Sequence, residues 1–403
     1  MTALLLTTGL VMTAWDLVTP FIPLFVLELE AGDPRSAAGW SGLLVGISPL
    51  LSAVTGPFWG AFAERFGGRN ALLRTILTSV VLVALTAFVA SVWQLLVLRV
   101  LVGLLGGFFV LIHGLAAQAS ARDRVGQTMG ALQAIQLVCL AVVPPFAGLL
   151  ADRWGLRSNF LLAAGIMLLG FGVMWRGYRP SRPSRRTDAH GTRQGLGSYW
   201  ALLVNRDMAI VAAIVFSAQF VDRLFNALAP LLVVELAPDS DQIGFITGLV
   251  LGLGSGSTAI AALVSGRLAQ RFSARKLLLG SLACGCLILP LLASAGAIWQ
   301  VIGLRMALGL FAGGTITLAY AFISKLLPPE RLGLSFSAFA SCAMLGASAG
   351  PMSLGVIAQL SLRLPLVVGA AAFALCLALL WRVRSPGSRA RGHSQSELVD
   401  GRR

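Results

Sequence analysis

The chain has 403 residues, of which 57% are hydrophobic and 12% charged, with a mean hydropathy of +0.84 and a formal net charge of +15. A soluble domain carries about a quarter charged residues, so a water-soluble globular fold is excluded. The apolar runs, roughly 20 residues each, are long enough to cross a ~30 Å hydrocarbon layer as helices. Backbone groups in lipid must be satisfied within the segment, so an all-α integral membrane protein is expected.

In chain order, spans are predicted at about 3–29, 38–62, 71–91, 93–120, 125–150, 158–178, 206–236, 242–268, 276–296, 297–325, 331–360 and 363–383. Met1 leads into the first of them with no basic leader, so no cleavable signal peptide is expected. An even span number leaves both termini on one side. With that side cytoplasmic, only Arg35, Arg153, Arg157 and Arg363 among the loop and tail cations fall outside, which is the positive-inside pattern. The basic charge therefore reads as topology, and a nucleic-acid partner is not expected.

The first span carries Asp16 in "TAWDLVTPFIP", with Trp15 and Thr19 beside it. The fourth places Arg99 in "VWQLLVLRVLVGLLGG", and at helical steps Arg99, Gly103, Gly106, Val110 and His113 form one stripe. A charge at a helix centre costs roughly 2.5–3.5 kcal/mol on insertion scales, so Arg99 is expected to face the protein interior or a wet cavity. Gln133 and Gln136 lie in the fifth span. A Pro-, Ser- and Arg-rich stretch at 179–204 reads as a cytoplasmic linker, which divides the chain into 1–178 and 205–383, with a polar tail at 384–403.

The second half repeats the first. "PLFVLEL" at 23–29 returns as "PLLVVEL" at 230–236, "GAFAERFGGR" at 60–69 as "GRLAQRFSAR" at 266–275, and Arg99 as Arg305. Near-constant spacing in one order implies two duplicated six-helix bundles. The seventh span contributes Gln219, Asp222, Arg223 and Asn226, and the tenth Tyr320. By the repeat, Trp15 corresponds to Asp222 and Asp16 to Arg223. Glu28 and Glu235 sit at helix ends and read as ordinary boundary residues. The five cysteines all lie in spans and suggest neither a disulfide nor a metal site; no cofactor and no catalytic arrangement is expected.

After the second span, Gly60, Glu64, Arg65, Gly67, Gly68 and Arg69 resemble the loop signature of the major facilitator superfamily, with Glu64 where Asp is usual. "LRVLVGLLGG" resembles the fourth-helix motif of that superfamily's drug:proton antiporters, with Arg99 and Gly103 in place. The resemblance implies two pseudo-symmetric six-helix bundles, a parallel repeat. It also implies alternating access, with Glu64, Arg65, Gly67 and Arg69 as a conformational latch and Arg99, Gly103 and Arg305 in coupling. One departure stands out: Val143, Gln136 and Cys139 occupy fifth-span positions where that branch carries glycine, and such bulk is expected to alter bundle packing on the outer side.

Burial disfavours a charged carboxylate and a nearby cation favours it, so Asp16, Asp222 and His113 are the candidate proton sites. Trp15, Thr19, Gln133, Gln136, Gln219, Arg223, Asn226 and Tyr320 are candidate cavity residues. The expected function is proton-coupled export of a small amphipathic compound by a monomer in the inner (cytoplasmic) membrane. Its partners are then a small-molecule substrate, protons and the lipid bilayer. An importer or uniporter, or a non-transporting receptor on the same scaffold, is the alternative, and an enzyme is not expected.

Overall fold

The computed structural model describes residues 1–30, 34–120, 125–178, 206–324 and 329–381, and the regular elements among them are helical. The 179–204 and 384–403 segments lie outside these residues. Twelve helical spans are long and apolar enough to cross a membrane: Thr2–Leu29, Ala37–Gly56, Gly68–Thr86, Val92–Ala119, Gln127–Trp154, Leu156–Gly177, Arg206–Leu236, Ile243–Arg271, Ala274–Ala293, Ile298–Ser324, Phe339–Ile357 and Leu364–Trp381.

Three of these spans bend where their composition requires it. In the first, Pro20 and Pro23 remove backbone donors, and the α-helix ends at Val18, passes through a 3-10 turn at Thr19–Phe21 and resumes at Ile22. The fourth breaks after Leu105 because Gly107 has φ +98, a left-handed conformation that costs glycine nothing. Trp59 closes over that bend, and its indole donates to Leu104 O at 3.0 Å. The tenth breaks at the matching Gly313–Gly314. The break interrupts the stripe expected from Arg99 to His113, since helical phase is not carried across it.

Each half packs its own apolar core, one around Phe21, Phe25, Leu44 and Phe160, the other around Phe225, Leu228, Leu282 and Phe339. Within the first half the first span packs on the fifth and sixth, the second on the fourth, and the third on the sixth; the second half repeats every one of these pairings. The symmetry extends to single bonds. Arg157 pairs with Glu28 at 3.8 Å and Arg363 with Glu235 at 3.1 Å. The same arginines donate to Ala87 O (3.2 Å) and Ala293 O (3.4 Å). The two glutamates are thus paired rather than plain boundary residues. Both pairs are between a third and a half exposed, so each contributes ~0–1 kcal/mol and serves mainly to orient the sixth and twelfth spans.

The two bundles meet through the fifth and eighth spans and through the second and eleventh. Both junctions are glycine-lined. A β-carbon on Gly248 would run into the backbone of Pro144 and Pro145, and one on Gly42 into Pro351 O and Gly355 N. The fifth-span bulk expected to alter this junction lies within its own bundle, Val143 on the first core and Cys139 against Gly9 O, while Gly244, Gly248 and Gly252 bring the eighth-span backbone close. At the edge of this junction Asp152, on the fifth span, caps the eighth: Oδ1 accepts from Gly244 N (2.8 Å) and Oδ2 from Phe245 N (2.7 Å). A carboxylate at a helix N-terminus satisfies free amides and complements the helix dipole. Asp152→Ala should loosen this end, which spin labels at residues 153 and 240 would report as a broader and longer distance distribution. An unchanged distribution would rule out the strap.

Candidate functional site

The membrane-embedded charges fall into three different arrangements. In the second half Arg305, on the tenth span, is almost enclosed, and its Nη2 lies 2.8 Å from Asp222 Oδ1 on the seventh span. The same nitrogen reaches Asn226 Oδ1 at 3.5 Å, while Asn226 Nδ2 donates to Asp222 Oδ2 at 3.3 Å. The guanidinium carbon stands 4.8 Å from the centre of the Phe225 ring, within cation–π range. Asp222, Phe225 and Asn226 come together because they lie three to four residues apart on one helix. Gly254 leaves room for the Arg305 side chain against the eighth span. The pair closes within its own bundle, with Arg305 Nε enclosed and unpartnered.

Asp16 is placed differently. It sits on the last straight turn before the first-span bend, half-buried, and its carboxylate makes no hydrogen bond among the described residues. It faces the Cys139 thiol of the fifth span, which also contacts Thr13 Oγ1 at 3.6 Å. Its charge interacts with that of Arg223 on the other bundle, and the two do not close into an ion pair. Arg223 Nε is enclosed without a partner. Asp16 and Arg223 thus oppose one another across the bundle boundary, their charges interacting but unbonded.

Arg99 is the third case. It is 5% exposed and lies against the second span, where Ser48 Oγ donates to its backbone carbonyl at 2.7 Å. Gly103, one turn on, has no space for a side chain against Ser48 and Leu51. Its guanidinium forms no hydrogen bond or ion pair among the described residues.

The other candidates spread around these groups. Trp15 packs on the first bundle's core, and Thr19 opens the 3-10 turn. Gln136 is half-buried with Nε2 enclosed and unpartnered, whereas Gln133 is exposed and Gln219 half-buried. Tyr320 lies with its ring 6.5 Å from that of Phe339. His113 Nδ1 sits 2.7 Å from Phe109 O on its own helix, away from the Arg99 segment. In the loop signature, Gly67 has φ +87 and starts the third span, Arg69 donates to Trp175 O, and Arg65 lies 5.4 Å from the Phe66 ring. Arg275 repeats the Arg69 bond on Trp381 O at 3.1 Å. The Glu64 side chain falls outside what the structure describes. The Asp152 strap and the eighth-span glycines escaped the sequence reading, because the amides that Asp152 caps lie 92 and 93 residues along the chain and no local pattern marks the pairing.

Multidrug resistance protein MdtG of Yersinia enterocolitica is 29% identical to this chain over 343 residues, covering 84% of the chain and 81% of that protein. The MdtG of Proteus mirabilis is 28% identical over 342 residues, 84% of each. Among solved structures, a bacterial homologue of the human lysosomal transporter Spinster, in an inward-facing and occupied conformation, superposes with TM-score 0.77 over 94% of this chain and 95% of its own, at 14% identity. The nucleoside transporter NupG gives TM-score 0.76 over 95% and 99% at 12% identity, a likeness of fold. The sequence model of the Major Facilitator Superfamily matches residues 4–236 and again 211–400, once for each half. The twelve-span, twice-repeated helical fold and the repeated family match lead to one assignment: the chain is a membrane transporter of the Major Facilitator Superfamily.

Proposed function

We propose that this chain exports a small amphipathic organic compound across the cytoplasmic membrane in exchange for protons, with both termini cytoplasmic. The observation that carries the reading is Asp16. It is an acid at the bundle boundary that no hydrogen bond satisfies and whose opposing charge, Arg223, belongs to the other bundle. Relative motion of the bundles changes that distance, and with it the balance between the charged and neutral carboxyl. Asp222 lacks this freedom, because Arg305 holds it within one bundle. The names of the MdtG relatives agree with an extruded, drug-like cargo.

With the termini inside, the glycine-lined junctions and the Asp152 strap lie at the outer end, which supports reading the transporter as closed on that side. Gly130 and Gln133, further along the fifth span, are exposed. Turnover then requires the outer junction to open. The position of a β-carbon on Gly256 lies 3.6 Å from Ala141 Cβ, a separation suited to a disulfide. In a background lacking the native cysteines, Ala141→Cys with Gly256→Cys should cross-link under mild oxidation and stop transport, and reduction should restore it. Transport that persists in the fully cross-linked protein would refute alternating access at this junction.

The direction is tested in proteoliposomes carrying a pH gradient, with a panel of fluorescent lipophilic compounds. Extrusion against the cargo gradient, with protons moving the other way, is expected. Net uptake along the proton gradient would instead favour the importer reading, and absence of transport across the panel the receptor reading.

A further inference from the structure

The repeat supplies an internal control for Arg99. At the equivalent place in the second bundle, Arg305 is neutralised by Asp222 at 2.8 Å, contacted by Asn226 and covered by Phe225. The position that corresponds to Asp222 is Trp15, which brings no charge. The acid on the next residue, Asp16, is turned about 100° around the helix, towards Cys139 and Arg223. The register is sound, because Cys139 contacts Gly9 O as its counterpart Gly346 approaches the counterpart of Gly9, Phe216 O. Ser48 bonds the Arg99 carbonyl and leaves the guanidinium untouched.

Arg99 is nevertheless 95% enclosed. None of its guanidinium nitrogens is among the fully enclosed, unpartnered polar atoms, whereas Nε of Arg305 and of Arg223 are. The remaining opening of Arg99 therefore lies at its guanidinium. A buried cation without a counter-charge is costly, and the planar fork of arginine fits a carboxylate or phosphate through two parallel hydrogen bonds.

We propose that Arg99 is an anion-binding residue, and that the compound it receives has a compact acidic group, such as a carboxylate, on an apolar body. An inorganic anion such as chloride is the other source of the same charge. The cargo assignment rests on the transport reading above; the anion site does not. A neutral or cationic amphiphile leaves Arg99 uncompensated and is a poorer ligand than its acidic counterpart.

The test uses the purified full chain in detergent, in gluconate buffer, with thermal unfolding as readout. Decanoate and decanamide below their aggregation limits are the paired probes, and chloride is titrated separately. Decanoate should half-saturate the wild type at a concentration about tenfold below decanamide, as a charge-assisted hydrogen bond supplies. Arg99→Gln should erase that difference, while Arg99→Lys keeps part of it through its point charge. A chloride-induced rise in unfolding temperature, present in the wild type and lost in Arg99→Gln, would support the anion site and name the inorganic source. Equal stabilisation by both probes with no chloride effect would overturn the proposal, as would an acid preference that survives Arg99→Gln. Should Arg99→Gln not fold, a full acid preference in Arg99→Lys together with no chloride effect would count against it. These readouts involve neither protons nor transport, so failure of the export reading and failure of this one are told apart.

Discussion

In Asp16→Asn the proton-driven extrusion of cargo should fall by at least about a hundredfold, the scale expected when a positioned proton carrier is removed, while cargo still equilibrates across the membrane. Asn has the shape of the protonated acid, so the first span keeps its packing, and the bundles can rock with the site held neutral. What is lost is the charged state that Arg223 favours from the other bundle. The measurement compares uphill efflux under a pH gradient with cargo exchange at equal pH, in the same proteoliposomes. Exchange near the wild-type rate with uphill transport abolished is the expected pattern. Wild-type uphill transport in Asp16→Asn would remove Asp16 from the mechanism. Asp16→Glu, which restores the proton-binding group one methylene further out, should recover part of the gradient-driven flux.

The second large effect concerns stability. Asp222→Ala leaves Arg305 enclosed without its counter-ion, and breaking a buried pair from one side costs about 3–5 kcal/mol. The 29% exposure of the Asp222 side chain places the reverse change, Arg305→Gln, below that range. Replacing both, Asp222→Leu with Arg305→Leu, removes the desolvated charges together and should be less damaging than Asp222→Ala alone. Denaturant unfolding in mild detergent reads all three. In the cycle formed by Asp222→Ala, Arg305→Gln and these same two changes combined, strict additivity would show that the 2.8 Å contact carries no coupling energy. Arg99→Gln, by the same logic, should not lower stability, since it removes an uncompensated buried charge and leaves no partner behind.

The fold was legible because its determinants are local or periodic. Apolar length marks each span, and the recurrence of "PLFVLEL", "GAFAERFGGR" and Arg99 marks the duplication. The site was legible as a set of residue types but not as pairings. Asp16 and Asp222 look alike in sequence, each an acid in a span with an arginine elsewhere at matching depth. The repeat offsets them by one residue, about 100° of helix, but the neighbours on each side were not legible: Asp222 meets Arg305 in its own bundle, and Asp16 faces Arg223 of the other. Those neighbours lie far along the chain, 83 residues away for Asp222 and Arg305. The bend at Gly107 was hidden for another reason. A double glycine is compatible with a continuous transmembrane helix, and the break that phases His113 away from Arg99 depends on the left-handed φ adopted there. Likewise the bulk at Val143 and Cys139 was read against the bundle junction, whereas it packs inside the first bundle, Cys139 against Gly9 of the first span.

Those glycine-lined junctions have a kinetic consequence. Where backbone lies on backbone, no knob has to leave a hole for the surfaces to part, and few rotamers must change on the way. Attraction there comes from many weak dispersion contacts, which fade together over a small displacement. The junction behaves as a smooth bearing, clasped at its rim by Asp152. Substitutions along it are expected to set how often the protein cycles, while the residues that choose the cargo remain free to vary on their own.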